Sequence, residues 1–145
     1  MKQVIVVGAD GSHESHRAVM WTAKQATLSN ARVVVVHSID IPVYSGYGEF
    51  ATAMVPRGLT ESQREEVRKE VHENWAAPLT EADVEFNVAL IDGTPSAAIR
   101  AAADKENADL IVVGSRGRGG FAELVLGSTS HQLAHHAGRP LVIIP

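Results

Sequence analysis

The chain has 145 residues, and its 45% hydrophobic and 21% charged composition is that of an ordinary globular protein, so we expect a single domain over residues 1–145. It contains no cysteine, which excludes a disulfide framework, a thiolate metal site and a cysteine nucleophile. The formal charge of -4, with acids and bases mixed along the chain, gives no electrostatic reason to expect a nucleic-acid or anionic-membrane partner.

The first residues, Met1-Lys2-Gln3, run directly into an apolar strand and not into the core of a signal peptide. No apolar run approaches the roughly 20 residues that cross a bilayer. We therefore expect an unexported, cytoplasmic protein with no membrane partner.

Five short apolar runs rich in β-branched residues predict strands, at residues 4–7, 33–36, 84–91, 110–113 and 141–144. They alternate with helical patterns, which favours right-handed crossovers and a mainly parallel sheet covered on both faces. The predicted class is therefore a doubly wound α/β fold. Since only the third run alternates cleanly between apolar and polar residues, we place it at an edge of the sheet.

Four segments have helical patterns and start signals. Ser12 predicts a cap for residues 12–29, Thr60-Glu61-Ser62-Gln63 fits a capping box, Thr94-Pro95 provides a cap and a first-turn proline, and residues 127–137 end at Gly138. In the second of these helices an apolar stripe recurs every fourth residue, at Val67, Val71, Trp75 and Leu79. The stripe predicts one continuous helix.

Residues 40–58 carry Pro42, Gly46, Gly48, Pro56 and Gly58 without periodicity, and the segment exceeds the ~12–15 residues usual for plain loops. We interpret it as a lid or excursion. Its aromatic residues, Tyr44, Tyr47 and Phe50, would either close over a ligand or partner or pack the segment against its own body.

The most informative stretch is the glycine-rich segment of residues 114–130, which begins where the fourth strand ends and finishes inside a helix start. Glycines let the backbone approach a ligand and adopt positive φ, while Gly127, Ser128 and Thr129 expose N–H groups at the positive end of a helix. Arg116 and Arg118 add charge for an anion. The pattern therefore predicts a phosphate site.

Two well-known phosphate motifs do not fit this segment. A Walker A loop ends in Gly-Lys-Ser/Thr, whereas no lysine follows Lys105 in this chain. The dinucleotide fingerprint belongs after the first strand, where the chain has Gly8-Ala9-Asp10-Gly11-Ser12.

The spacing Gly114-x2-Gly117-x9-Gly127-Ser128 is similar to the ATP-binding pattern G-x2-G-x9-G-[ST] of the universal stress protein family. The resemblance extends to Asp-Gly-Ser after the first strand, to His37, and to the closing Gly-Arg-Pro-Leu-Val-Ile-Ile, and it covers essentially the whole chain. It implies a five-stranded parallel sheet in the order 3-2-1-4-5, a homodimer, and a bound adenine nucleotide with Mg or Mn.

In that strand order the winding reverses between strands 1 and 4, which leaves a crevice at their carboxyl ends. The resemblance implies that Asp10 lies near ribose or metal and that Ser38 offers backbone to adenine. The full set of nucleotide-binding residues that it implies is Gly8, Ala9, Asp10, Ser38, Val113, Gly114, Arg116, Gly117, Gly127, Ser128 and Thr129.

Several of these residues also have an alternative interpretation. Asp10 would serve only as a turn residue before the Ser12 cap. The single Arg-Gly-Arg-Gly-Gly run would be an RNA-binding element, although it lies between a strand and a helix. His131 and His135 are four apart and would grip a metal, but no HExxH pattern or acidic third ligand accompanies them. Ser128 with His131 would suggest a hydrolase, but a G-x-S-x-G elbow is missing.

Three functions follow from these patterns. The first is an ATP-binding regulatory protein of the stress response with at most slow hydrolysis. The second is an enzyme of adenine-nucleotide chemistry, for which no positioned base is identified. The third is a structural dimer with an empty site. Leu141–Ile144 would be an edge strand with no charge or internal proline, and this predicts a homodimer through that strand.

Overall fold

Strands and helices alternate along the chain, as the sequence predicts. The computed structural model describes residues 1–39, 58–117 and 126–145. Its elements are β1 (Val4–Gly8), α1 (His13–Ser29), β2 (Arg32–Ile39), α2 (Glu61–Glu70), a π-helical turn (Val71–Trp75), α3 (Ala77–Glu81), β3 (Phe86–Asp92), α4 (Pro95–Glu106), β4 (Leu110–Gly114), α5 (Ser128–His136) and β5 (Leu141–Ile144). Residues 40–57 of the predicted lid (residues 40–58) lie outside the described residues, and Gly58 lies within them.

The five strands form one parallel sheet in the order β3-β2-β1-β4-β5, so the predicted fold class and strand order are confirmed. The central strand β1 pairs with β2 from Val4 opposite Arg32 and with β4 from Ile5 opposite Leu110. As predicted, β3 and β5 are the two edges.

Two apolar layers cover the sheet, because successive side chains of a strand point to opposite faces. Ile5 and Val7 of β1 face one layer, which contains residues of α1 and α3. Val4 and Val6 face the other layer, which contains residues of α4 and α5. Helices therefore lie on both faces of the sheet, and β1 is buried along its whole length.

The predicted helix starts are confirmed at α1 and α2. The Ser12 side chain accepts a hydrogen bond from the Ser15 N–H at 3.2 Å. Thr60 and Gln63 form the reciprocal capping box. At α4 the prediction was partly wrong, because Thr94 occupies the cap position with an extended backbone but its side chain accepts no N–H of this helix. Pro95, whose ring fixes φ near the helical value, marks that start instead.

The prediction of one continuous second helix was wrong, although part of its apolar stripe is buried. Val71 and Leu79 are fully buried, but a π-helical turn and then the short helix α3 follow α2. The Ala76 N–H donates to the Val71 carbonyl at 2.8 Å, a bond that spans five residues where an α-helical bond spans four. Pro78 has no N–H to continue the pattern of α-helical hydrogen bonds, so the helix is interrupted and a separate α-helix begins at Ala77.

The two edges of the sheet differ. At β3, the Arg68 guanidinium of α2 donates to the Val88 carbonyl at 2.9 Å, so a charged side chain covers that edge. At β5, all four residues are partly exposed, and among the described residues the strand pairs with β4 alone. No described helix is both long and apolar enough to cross a membrane.

Replacing Leu79 with alanine is expected to lower the free energy of unfolding by about 2–5 kcal/mol, because a fully buried side chain leaves a cavity. The control is Leu28→Ala, which alters a leucine that is 77% exposed and should change stability by no more than about 0.5 kcal/mol. Urea denaturation measures both variants. Equal losses would contradict the placement of Leu79 in the core.

Candidate functional site

A crevice opens at the carboxyl ends of β1 and β4, where the strand order reverses direction. Residues from both strands, from the end of β2 and from the first turns of α1, α4 and α5 line it. The lining residues are Gly8, Ala9, Asp10, Ser15, Val36, Ser38, Pro95, Ile99, Val113, Gly114, Arg116, Gly117, Gly127, Thr129 and Ser130. The sequence predicts a crevice at this place in the fold.

Ten of the eleven predicted site residues lie in this lining. The exception is Ser128, the first residue of α5, which is exposed and is not among the lining residues. Thr129 and Ser130 lie on the crevice instead, so the first turn of α5 faces it with its second and third residues.

The sequence analysis missed five lining residues: Ser15, Val36, Pro95, Ile99 and Ser130. Simple periodicity would have found one of them, because Val36 is two residues before Ser38 on β2 and so shares its face. Pro95 and Ile99 are four residues apart on α4 and share a face, but neither is a predicted site residue from which the other could be found. The position of α4 relative to β1 is a tertiary feature, and no local pattern indicates it.

Ser115, the residue directly after β4, is bonded to β5 and to the start of α5. Its N–H donates to the Ile144 carbonyl of β5 at 2.7 Å. Its carbonyl accepts from the Gly127 N–H at 2.6 Å and from the Ser130 hydroxyl at 2.7 Å. Ser115 and Ser130 are both buried. These bonds hold the two ends of the glycine-rich segment together.

Glycine at position 114 allows α1 to approach the end of β4. A Cβ at this position would lie 2.8 Å from the main-chain carbonyl carbon of Glu14 and 2.8 Å from its Cβ. At Gly127 a Cβ would lie 3.2 Å from the Arg116 Cα, which is also tight. These glycines are therefore required by packing within the protein.

The prediction of positive φ was wrong for Gly114, Gly117 and Gly127, the glycines of the motif that line the crevice. Gly127 has φ -73° and caps α5 in an extended conformation, and neither Gly114 nor Gly117 has a left-handed φ. Residues 118–125 lie outside the described residues, and with them Arg118. At the described positions, absence of a side chain matters more than backbone freedom.

Asp10 is both a turn residue and a lining residue. One carboxylate oxygen, Oδ1, accepts from the Ser12 N–H at 2.9 Å, which forms the turn that leads into α1. A Cβ on Gly117 would lie 2.5 Å from the other oxygen, Oδ2, so the carboxylate lies against the Gly117 backbone. The two interpretations of Asp10 are thus compatible.

The charges near the crevice are balanced. An Arg116 nitrogen lies 3.8 Å from the Glu14 carboxylate, and an Arg17 nitrogen lies 3.9 Å from the same oxygen. Glu14 is largely buried, with 20% of its side chain exposed, so screening by solvent is reduced there. The sequence suggests that Arg116 adds positive charge for an anion. In the structure Arg116 pairs with a carboxylate of the protein, which offsets that charge.

His37 fixes the end of β2 beside the end of β1. Its Nδ1 lies 2.9 Å from the Ala9 carbonyl, and since a carbonyl can only accept, Nδ1 carries the proton. The imidazole also makes an edge contact with the Trp75 ring, with centroids 4.9 Å apart. These two contacts position the adjacent Ser38 on the crevice.

Metal-ligating groups are sparse in this part of the molecule. Residues 1–39, 58–117 and 126–145 contain no cluster of three or more His, Asp or Glu side chains that could hold a metal ion. Within the lining, Asp10 is the single carboxylate.

Comparison with known proteins identifies the family of the chain. The model of the universal stress protein family matches residues 1–145. A universal stress protein of Thermus aquaticus is 34% identical over 145 residues, which cover 99% of each chain. Several other relatives are about twice as long, and the chain spans 47% of their length.

Solved structures share the fold. A universal stress protein in complex with cAMP has a TM-score of 0.68 at 24% identity, and the match covers 99% of this chain and 96% of that one. A universal stress protein from Archaeoglobus fulgidus in complex with dAMP has a TM-score of 0.66 at 20% identity, with 100% and 98% covered.

A parallel sheet with a crevice at its reversal point, bounded by glycines and a helix start, defines a doubly wound α/β protein. With the match over its whole length, the chain belongs to the universal stress protein family.

The contact between Asp10 and Gly117 can be tested by a double-mutant cycle. Gly117→Ala is expected to destabilise the protein, because its Cβ would lie 2.5 Å from the Asp10 carboxylate, and apart from the chain neighbours of Gly117 no other described residue has an atom within 4 Å of it. In an Asp10→Ala background the penalty should disappear, which gives a coupling free energy of about 0.5–3 kcal/mol in chemical denaturation. Strictly additive effects would contradict the contact.

Proposed function

We propose that the protein binds an adenine nucleotide, ATP or a close relative, in the crevice, and that it acts as a regulatory protein of the stress response with at most slow hydrolysis. The observation that carries the proposal is the convergence on one crevice of the glycine motif, the α5 N-terminus and the Asp10 turn. Each comes from a different part of the sequence.

The phosphate part of the site would be the side formed by Gly117, Gly127 and Thr129. The N–H groups of Ser128 and Thr129, in the first turn of α5, point out of the helix, and the helix dipole favours negative charge there. The Gly127 N–H, which the sequence predicted to be open, donates instead to the Ser115 carbonyl at 2.6 Å, so Gly127 would contribute only its lack of a side chain. Glycines allow a ligand to approach the backbone without a side chain between them. Neither contribution needs a lysine.

The nucleoside part of the site would be the apolar side of the crevice, where Val36, Ile99 and Val113 provide aliphatic surface. Ser38 lies at its rim and can offer main-chain groups to a base. Support comes from the two relatives of the same fold whose complexes contain cAMP and dAMP, both adenine nucleotides.

Asp10 fits a divalent ion that is bound through the nucleotide. Mg²⁺ in proteins is typically held by one or two carboxylates together with substrate phosphates, and the described lining offers one carboxylate. A bound Mg²⁺ or Mn²⁺ would neutralise the phosphates, a role that Arg116 serves only weakly while it pairs with Glu14.

The described lining favours binding over catalysis. Its polar side chains are those of Asp10, Arg116 and the hydroxyls of Ser15, Ser38, Thr129 and Ser130. The Ser130 and Ser15 hydroxyls donate to main-chain carbonyls, at 2.7 Å and 3.1 Å, and are thus used in structure. An activated nucleophile would need an adjacent base instead.

The partner at the C-terminal edge is proposed to be a second copy of the chain. Leu141–Ile144 are apolar, partly exposed and, within the described chain, paired on one side only. Pairing of two such strands across a two-fold axis would satisfy the outward backbone groups and cover the apolar side chains.

Nucleotide binding can be measured by calorimetry on the wild-type protein with ATP, ADP and AMP, with and without Mg²⁺. Asp10→Ala should weaken ATP binding about tenfold or more with Mg²⁺ and less without it, because the carboxylate contributes through the ion. The matched control is Glu81→Ala, an exposed carboxylate on α3. Lack of binding by the wild type would overturn the proposed function, and equal weakening in both conditions would assign Asp10 to ribose.

Sedimentation equilibrium should show a dimer at micromolar concentration. Val142→Lys is expected to shift it toward monomer, because a charge on the pairing strand opposes association. Lys69→Glu, on the surface of α2, serves as the control that leaves the dimer intact. A wild-type protein that stays monomeric at high concentration would contradict the proposed interface.

A further inference from the structure

Helix α5 carries three exposed histidines, His131, His135 and His136, on its solvent side. None of them lines the crevice. His131 and His135 are four residues apart, so they lie on one face of the helix, one turn above the other. Their rings are in contact, with centroids 4.9 Å apart and planes inclined at 68°.

This ring spacing is compatible with two imidazoles on one metal ion. An imidazole nitrogen binds Zn²⁺ at about 2.0–2.1 Å, which places the ring centre about 3.2 Å from the ion. Two rings that subtend an angle of about 90–110° at the ion then have centres about 4.5–5.2 Å apart. The observed 4.9 Å falls in this interval, so the backbone already holds the two rings at a spacing suitable for one ion, which rotation of the side chains can then bind.

His136 is a poor third ligand. Its ring centroid is 6.1 Å from that of His135, and an adjacent residue on a helix points about 100° away around the axis. The described residues also provide no cluster of three ligating side chains. The pair would therefore supply two ligands, and water would fill the remaining positions.

We propose that His131 and His135 form a two-imidazole site for a divalent transition-metal ion. Imidazole ligands suit Cu²⁺, Ni²⁺ and Zn²⁺, and the usual order of stability makes Cu²⁺ the tightest of the three. Mg²⁺, which requires oxygen ligands, does not bind this pair. The site is separate from the crevice and does not depend on nucleotide binding.

Binding at this pair would stabilise α5. Chelation across one turn is possible only while the segment is helical, so the ion binds the folded state in preference to the unfolded chain. The same helix begins at the crevice with Thr129 and Ser130, so the stabilised turn adjoins the lining of the candidate nucleotide site.

The test is titration of the full-length, nucleotide-free protein with CuCl₂ and ZnCl₂, followed by calorimetry and by thermal unfolding. The wild type is expected to bind one Cu²⁺ more tightly than Zn²⁺, and both ions should raise Tm while MgCl₂ does not. His131→Gln and His135→Gln should each weaken Cu²⁺ binding at least tenfold and abolish the rise in Tm.

His136→Gln is the matched control, because it removes an exposed histidine from the same helix without touching the pair. It should leave metal affinity and the Tm rise unchanged. The proposal is overturned if His135→Gln binds Cu²⁺ as tightly as the wild type, or if His136→Gln loses as much affinity. Circular dichroism without metal checks that each variant is folded, and the His131→Gln/His135→Gln double variant repeats the test should one single variant unfold.

Discussion

The main chain of Ser115 is the junction on which the site depends. It bonds to Ile144 through its N–H and to Gly127 and Ser130 through its carbonyl, so one buried residue fixes β4, β5 and the start of α5 relative to one another. Buried backbone groups that lack a partner are costly, and this residue satisfies both of its own. The two ends of the glycine-rich segment are therefore bonded to each other, and the bond to Ile144 ties them to β5.

Around this junction the crevice is built mainly from backbone and small side chains. Gly114 lets the first turn of α1 lie against β4, and Gly117 lets Asp10 lie against the main chain. The two charged lining residues, Asp10 and Arg116, both have contacts within the protein, to Ser12 and to Glu14. A site of this kind offers shape, N–H groups and a helix dipole, which suits recognition of a phosphorylated ligand better than chemical attack on it.

Strand periodicity predicted the α/β class, because it is a local signal, whereas the strand order, and the crevice that follows from that order, came from the family resemblance of the glycine spacing. One failure was local, because Pro78 interrupts the helix that the apolar stripe predicts and is itself visible in the sequence, while the stripe carries no information on backbone hydrogen bonding. The other failures were tertiary. Ile99 and Pro95 reached the crevice through the packing of α4 on the sheet, and Arg116 found a carboxylate on α1, 102 positions away by numbering from Glu14. Such long-range contacts leave no short-range pattern.

The unequal edges of the sheet limit how many neighbours it can accept. Arg68 occupies the outward carbonyl of Val88 in the middle of β3, whereas at β5 the Arg17 guanidinium donates at 2.7 Å to the carbonyl of Pro145, just past the end of the strand. If two β5 strands pair as proposed, the same pairing covers the open edge of both copies, and the closed dimer presents only its two β3 edges to further chains. At each of these edges the Arg68 guanidinium occupies one outward carbonyl, which disfavours the continuous strand-by-strand addition that builds fibres.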